Sequence, residues 1–250
     1  MEFCEGYEGR KVFVTMLSND GFFAGFQVLS KSLQATGTQH PLFVLTGPAV
    51  STTVMSRLKA LCSGIISGDR IQNSHEGHDA SWTNSEYLKL NIWNLVAFEQ
   101  IVYLDADTLI LENIDELFDR DCAFAAAPDV FPPDKFNAGV MVIRPDAGVF
   151  ADMMSKVTSL ASYDGGDTGF LNAYFPDWYT MDATCRLSFG FNAQRTLFWF
   201  THQKCPGYWN SIQPLKVVHY SSSPKPWEVE MSQVKIGDLE WLWWRSFMGF

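Results

Sequence analysis

The sequence predicts a single α/β domain with a mostly parallel central sheet flanked by helices, and three observations point there. Strand-like and helix-like segments alternate at the amino end in the order βαβα, the pattern of a sheet wound by crossover helices. The run Ile101-Val102-Tyr103-Leu104 is apolar throughout, as a strand covered on both faces must be, and it ends on two carboxylates, Asp105 and Asp107. The 250 residues, 47% hydrophobic and 15% aromatic, supply one large core without cross-links.

Residues 12–17 form a short apolar run closed by Ser18-Asn19-Asp20-Gly21, a strand followed by a turn or cap. Phe22, Phe26, Leu29 and Leu33 then recur at helical spacing, and Gly37 stops that helix. Residues 42–45 are the second strand, and Ser51 caps a helix with Val54, Leu58 and Leu61 on its apolar side. The polar stretch 67–84, with His75 and His78, is expected to be a loop. A helix is expected over 85–98, with Leu88, Ile92 and Leu95 on one face. Beyond Asp105, residues 114–118 read as a short helical turn, and 123–127 and 139–144 as strands. Pro145-Asp146 opens a helix to about residue 160 whose core face is Phe150, Met153, Met154 and Val157. Residues 168–174 fit a short helix and 217–220 a late strand. The expected organisation is a tail over 1–10, the domain over 11–230, and a C-terminal amphipathic helix or tail over 231–250. Within that last segment, Trp241-Leu242-Trp243-Trp244 reads as part of a core helix.

Net charge is −10, which excludes nucleic acid or an anionic membrane held by bulk electrostatics. An anionic substrate then requires a local cation, either a metal or a placed lysine. The five cysteines, Cys4, Cys62, Cys122, Cys185 and Cys205, are scattered without a C-x-x-C pair, so reduced thiols are expected rather than a disulfide framework or a zinc site. Residues 1–10 are polar and acidic, unlike a signal peptide, and no run reaches the length of a membrane span. The cytoplasm is the expected location.

Two aspartates at i and i+2 of a strand project to one side. At the carboxyl edge of an open parallel sheet they stand where such folds bind ligands. Like charges that close repel unless a cation sits between them, and hard oxygen ligands suit Mg²⁺ or Mn²⁺, commonly arriving with a diphosphate. The alternative for Asp105 and Asp107 is a solvated acidic turn. Phe136-Asn137-Ala138-Gly139-Val140-Met141 either opens a strand that lets backbone approach a ligand, or is a plain turn. Asp164-Gly165-Gly166-Asp167-Thr168-Gly169 places two more carboxylates at a helix start, where capping is the alternative duty. His219, at a strand end, suits an Asp/Asp/His metal shell, and Lys225 suits a diphosphate oxygen; a structural histidine is the competing option. Lys89 lies on the helix expected to face the Asp105 strand, where a solvated lysine is the ordinary case.

In chain order, six segments carry a resemblance: Val14-Thr15-Met16-Leu17-Ser18-Asn19-Asp20, Tyr87-Leu88-Lys89-Leu90, Tyr103-Leu104-Asp105-Ala106-Asp107-Thr108-Leu109, Phe136-Asn137-Ala138-Gly139-Val140, Asp164-Gly165-Gly166-Asp167-Thr168-Gly169-Phe170-Leu171-Asn172, and Val218-His219-Tyr220 with Lys225-Pro226-Trp227. From about Lys11 to Trp227 the chain resembles glycogenin-like members of glycosyltransferase family 8. Met153-Met154-Ser155-Lys156-Val157 adds a likeness to the plant-type inositol phosphorylceramide glucuronosyltransferases of the same family. The resemblance implies a Rossmann-like GT-A fold. It implies Mn²⁺, or Mg²⁺, and transfer of a hexosyl group, glucose first and glucuronate second, from a UDP-sugar to an acceptor hydroxyl with retention. By position, Asp105, Asp107 and His219 become metal ligands and Lys225 the diphosphate contact. Met16, Ser18, Asn19 and Phe22 become the nucleotide pocket, with Ala106, Ala138, Gly139 and Thr168 as further donor-binding positions. Lys89, Asn137, Asp164 and Asp167 surround the sugar, and Asp167, Lys89 and Asp164 form the implied catalytic set. The implied acceptor is a carbohydrate, a protein or a lipid headgroup, and a homodimer is compatible with the family.

Three departures from the family pattern bear on donor choice. Thr168 stands where many relatives have glutamine, Phe22 stands for a tyrosine, and Ser221-Ser222-Ser223 replace a segment that usually holds a glycine. Glycogenins modify a tyrosine of their own shortly before the His…Lys-Pro-Trp segment. Here Phe198-Trp199-Phe200-Thr201-His202-Gln203-Lys204-Cys205 holds none, and Tyr208 is the nearest. A haloacid dehalogenase-type phosphohydrolase also places D-x-D after an apolar strand, but it wants Thr or Val where this chain has Leu109. A non-catalytic sugar-binding protein is the remaining class, and the joint presence of Asp105, Asp107, Asp167, His219 and Lys225 speaks against it.

Overall fold

Strands that bury both faces need apolar residues at every position, and the first strands meet that demand. In the computed structural model, which describes residues 6–72, 87–235 and 237–249, β1 (Lys11–Asn19), β2 (Leu42–Ala49), β3 (Gly64–Ser67) and β4 (Gln100–Leu104) lie parallel. Beyond β4 comes β5 (Thr108–Ile110), then β6 (Phe124–Pro128) and β7 (Phe136–Ile143). The large sheet has six strands in the order β3-β2-β1-β4-β7-β6, with β7 alone reversed. Phe13, Val44, Val102 and Leu104 face one apolar layer, while Val12, Phe43, Ile101 and Tyr103 face the other.

The strand order locates a crevice. From β1 the chain moves outward to β2 and β3, then returns to place β4 on the other side of β1. The carboxyl ends of β1 and β4 therefore splay at the point where the winding changes direction, which is where open α/β sheets bind ligands. Met16, Ser18 and Asn19 end β1 there, and Asp105 follows β4.

A second, three-stranded sheet closes the other side, in the order β5-β9-β8, with β8 (Ala193–Gln194) and β9 (Val217–His219). The helices are α1 (Phe23–Ala35), α2 (Thr52–Leu58), α3 (Ala147–Lys156), α4 (Asp167–Tyr174), α5 (Arg195–Thr201), α6 (Gly207–Asn210) and α7 (Leu239–Met248). Local signals explain several of their ends. Gly37 takes φ +73° after α1, Ser51 Oγ accepts Val54 N–H at the start of α2, and Asp146 accepts Gly148 and Val149 N–H before α3. Helix α7 packs Leu239 and Trp243 into an apolar cluster with Val218 and Tyr220 of the small sheet's side. Among the described residues, no helix is long and apolar enough to cross a membrane.

The structure corrects several expectations. The helix expected over 85–98 is a 3₁₀ stretch, Leu88–Asn94, and residues 85 and 86 lie outside the described residues. Its side chains from Leu88 to Trp93 are all buried, so no solvent face selects the 3.6-residue period, and Asn91 diverts its amide to Asp69 and Leu88 main-chain oxygens. Residues 136–138 belong to β7 rather than to a turn, with an irregularity opposite Ala126 and Ala127. Strand β3, not read from the sequence, ends at Ser67, the first residue of the stretch read as a loop; most of that stretch, with His75 and His78, lies outside the described residues.

Candidate active site and metal centre

Asp105 and Asp107 do not sit on a strand. They occupy the turn between β4 and β5, so alternation along a strand is not what brings them together. The turn is fixed from three sides. Asp105 N–H donates to Gly139 O of β7 (2.8 Å), Tyr220 N–H donates to Asp107 O (3.0 Å), and Thr108 closes back on Asp105 O. The Ala106 carbonyl lies against α1 at Gly25, where an added Cβ would stand 2.7 Å from that oxygen and 2.7 Å from the Trp227 ring. Strand alternation does apply one step earlier. Tyr103, two residues before Asp105, donates its hydroxyl to Asp105 Oδ1. Burial, then the Asp105 charge, holds the Tyr103 phenol well above its ordinary pKa, so it remains a donor.

His219 completes a three-residue group. Its Nε2 lies 3.2 Å from Asp107 Oδ1 and 3.7 Å from Asp105 Oδ2, and the candidate ligand atoms of all three residues fall within 4.8 Å of one another. The ring is oriented by two amides. Gly139 N–H donates to Asn137 Oδ1, Asn192 Nδ2 donates to the same oxygen (3.0 Å), and Asn192 Oδ1 is thereby left facing His219 Nδ1 at 2.8 Å. A carbonyl oxygen only accepts, so Nδ1 carries a proton and Nε2 presents its lone pair to two carboxylates. That arrangement needs a proton or a cation at Nε2. Hard carboxylate oxygens with one oriented imidazole suit Mn²⁺ or Mg²⁺, so the residues present fit a divalent ion. Gly139 makes room for the ring, because a Cβ there would stand 2.2 Å from His219 Cε1.

Two lysines flank the acidic group. Lys225 Nζ reaches Asp107 Oδ2 (2.6 Å) and Tyr220 O (2.8 Å). Burial alone would raise the Asp107 pKa, but Lys225 and His219 outweigh it and hold the carboxyl below the usual carboxylate range. Lys89 is buried and lines the cavity, with Nζ 3.1 Å from Asp105 Oδ1, 3.0 Å from Asp167 Oδ2 and 3.2 Å from Ala138 O. Burial would depress its ammonium, yet Asp105 and Asp167 override that and raise its pKa, so Lys89 stays charged. The solvated lysine considered from sequence is not what the fold contains.

Around these groups opens a cavity of about 710 Å³. It is lined by Met16, Ser18, Asn19 and Phe22 from β1 and the turn after it, by Asp105, Ala106, Asp107 and His219, by Asn137, Asp164, Asp167 and Thr168, and by Lys225. Of the positions implied by resemblance, Ala138 and Gly139 lie behind this lining: Ala138 is buried with its carbonyl on Lys89, and Gly139 underlies His219. Asp164 Oδ1 accepts Gly166, Gly169 and Ser162 groups, so one of its oxygens caps the start of α4 as the alternative reading had it. Asp167 instead pairs with Lys89.

Several cavity residues escaped sequence reasoning. Asp129, Phe131, Tyr163 and Thr196 also line it, and Phe131 and Tyr163 are largely exposed aromatic rings at its mouth. Asn192 and Tyr103 act on the ligand set from behind it. Only Tyr103 had a visible signal, its position two residues before Asp105.

A family model described as Glycosyl transferase family 8 matches residues 13–230. Glycogenin-1 of Mus musculus is 34% identical over 221 residues, which cover 87% of this chain and 65% of that protein. Inositol phosphorylceramide glucuronosyltransferase 1 of Arabidopsis thaliana is 34% identical over 242 residues, 89% of this chain and 44% of that protein. The chain thus spans less than two thirds of the length of these relatives. Among solved structures, the apo glycosyltransferase GlyE of Streptococcus pneumoniae superposes with a TM-score of 0.69 at 21% identity, covering 95% of this chain and 60% of that one. The galactosyltransferase LgtC, in complex with donor and acceptor sugar analogues, gives 0.65 at 20% identity and covers 96% of both chains. At those identities the likeness is one of fold, and the fold is of the GT-A type.

Proposed function

This chain belongs to glycosyltransferase family 8, and from that premise we propose that it transfers a hexosyl group, glucose first among donors, from a UDP-sugar to an acceptor hydroxyl with retention of configuration. One observation carries the reading. The cavity lining holds five carboxylates, Asp105, Asp107, Asp129, Asp164 and Asp167, against two lysines. Such a surface repels a diphosphate unless a cation intervenes, and the Asp105/Asp107/His219 group is built to hold one. The ion is Mn²⁺ in this reading; when bound it would neutralise charge gathering on the departing UDP.

The remaining roles belong to the chain's own residues. Met16, Ser18, Asn19 and Phe22 receive the uridine at the end of β1. Lys225 stands as a point charge for a diphosphate oxygen. Lys89 keeps Asp105 and Asp167 at fixed separation, one toward the metal and one toward the sugar, and shields them from each other. A carboxylate at Asp167 stabilises positive charge developing at the anomeric carbon. The acceptor enters by the mouth that Phe131 and Tyr163 line, since sugar rings stack on exposed aromatic faces. Tyr208 is exposed on α6 and does not line the cavity, so the acceptor hydroxyl is not assigned to it.

A second donor, UDP-glucuronate, is favoured by the 34% identity to the Arabidopsis glucuronosyltransferase. Incubation with Mn²⁺ and a panel of UDP-sugars, reading both UDP release and the intact mass of the protein, separates the cases. Release with UDP-glucose that EDTA abolishes supports the reading, and release with no UDP-sugar would end it. A mass increment would identify the protein itself as acceptor. Replacing Asp167 by Asn should lower turnover while UDP affinity is kept; lost affinity would move Asp167 to donor binding.

A further inference from the structure

Arg195 opens α5 and is completely buried, an unusual place for a guanidinium. Every hydrogen bond it makes goes to one loop and one helix. Nη2 donates to Ser222 O (2.6 Å) and Pro224 O (2.8 Å), Nη2 and Nε donate to Ser222 Oγ, and Nη1 pairs with Glu240 Oε1 of α7 at 2.9 Å. The rings of Trp199 and Tyr220 lie over the guanidinium at 4.0 and 5.4 Å. The loop it grips, 220–225, contributes Ser221, Ser222, Ser223 and Lys225 to the cavity. Helix α7 holds that loop by a further contact, Tyr220 donating its hydroxyl to Leu239 O (2.6 Å), and just beyond the loop Trp243 packs on Trp227, which packs on Phe22 of the cavity wall. Glu240, Leu239 and Trp243 all lie outside the residues that the family model matches.

We propose that Arg195 is a positioning residue, held by Glu240, that fixes the 220–225 loop and thereby sets the ammonium of Lys225 for the diphosphate. The inference rests on the UDP-sugar reading above. Its physical basis is the geometry of the fork. One planar guanidinium bonds two carbonyls of the loop, two residues apart, and so fixes their separation and direction. With the loop held, Lys225 meets an incoming phosphate without first losing the freedom of a slack backbone; with it released, that ordering falls on binding. Asp105 and His219 are anchored outside that loop, by Gly139 O of β7 and by Asn192, whereas Asp107 meets it at Tyr220 N–H and Lys225 Nζ.

The independent anchoring of Asp105 and His219 provides the test. Removing only one member of a buried ion pair strands the other charge, whereas an apolar pair of similar volume keeps the fold. The double variant Arg195→Met/Glu240→Leu and the milder Glu240→Gln are compared with wild type for melting temperature, Mn²⁺ affinity and UDP affinity at saturating Mn²⁺. The expected result is Mn²⁺ affinity within about twofold of wild type, with UDP affinity about tenfold weaker in the double variant and about threefold weaker in Glu240→Gln. Unchanged UDP affinity in either folded variant overturns the proposal, as does parallel loss of Mn²⁺ and UDP, which marks general damage. Wild type that takes up Mn²⁺ but no UDP overturns the UDP-sugar reading itself, and this inference with it.

Discussion

The two walls of the cavity are built differently. The β1 wall belongs to long parallel strands whose register runs unbroken across five residues of β1 and β4, and its residues are close in sequence to the apolar runs that place them. The opposite wall hangs on strands of two and three residues, β8 and β9, and is held by contacts between distant parts of the chain. Lys225 reaches Asp107 across 118 residues, and His219 reaches Asn192 across 27. The Asp105/Asp107/His219 group draws on both walls, Asp105 following β4 and His219 ending β9. The first wall therefore carries stability largely independent of the site, while in the second wall stability and ligand geometry are the same contacts.

The largest effect should come where the walls meet. Asp107 is buried and engages both Lys225 and His219, so Asp107→Asn leaves a lysine and an imidazole short of their partner. Turnover should fall by about two to three orders of magnitude, the scale of removing one group that supports charge stabilisation in the transition state, and UDP with Mn²⁺ should no longer raise the melting temperature. Undiminished turnover would remove the metal role assigned to Asp107. The next variant tests the first wall alone. Phe43 is buried on β2 against Tyr7 and Phe98, so Phe43→Ala should cost about 3 kcal/mol in denaturant unfolding while the folded protein keeps its UDP affinity. Weakened UDP binding by folded Phe43→Ala would show that the walls are coupled after all.

How much of this was legible follows from the same contrast. The β1, β2 and β4 runs, the Gly37 stop and the Ser51 and Asp146 caps were readable because each depends on side chains within a few residues of its own backbone, whereas β3, four residues long, was not read. The carboxylate pair was found, but for an inexact reason: the turn after β4, seated on Gly25 and tied to Gly139 and Tyr220, aligns the two aspartates, and no local pattern states that. Lys89 was reached through resemblance. Its own surroundings suggested solvent, and only the fold sets Asp105 and Asp167 on either side of it. Asn192 and Arg195 were missed because an asparagine and an arginine in an ordinary stretch announce nothing until β8 stands beside β9. The 3₁₀ form of Leu88–Asn94 was equally hidden, since a fully buried segment shows no amphipathic period to read.

Gly139→Ala probes the second wall from behind. The added methyl would meet His219 Cε1 at 2.2 Å and Nδ1 at 2.5 Å, so the ring must leave its place on Asn192. Overpacking of this kind should cost about 2 kcal/mol of stability. Losing the oriented imidazole should weaken Mn²⁺ about 10- to 100-fold, measured by titration of the free ion by electron paramagnetic resonance. Mn²⁺ affinity equal to wild type would detach His219 from the ligand set and leave the two aspartates alone.

The smallest effect belongs to a cap on the first wall. Ser51 Oγ accepts Val54 N–H, and Ser51 N–H donates to Asp20 Oδ1 at 2.8 Å. Ser51→Ala should cost about 1 kcal/mol at neutral pH and leave Mn²⁺ and UDP affinity alone. Its pH dependence has a definite sign. Side-chain and then main-chain hydrogen bonds from Ser51 hold the Asp20 carboxyl below its ordinary value of 3.8. A carboxyl depressed in the folded state contributes stability above its unfolded pKa and loses it as pH falls through the folded one. The variant keeps only the main-chain bond to Asp20, so it has less to lose in acid. The stability gap between wild type and Ser51→Ala should therefore narrow below pH 4, approaching the Val54 cap alone. A gap constant from neutral pH into that range would mean that the Ser51 hydroxyl does not act on Asp20, and that the cap is its whole contribution.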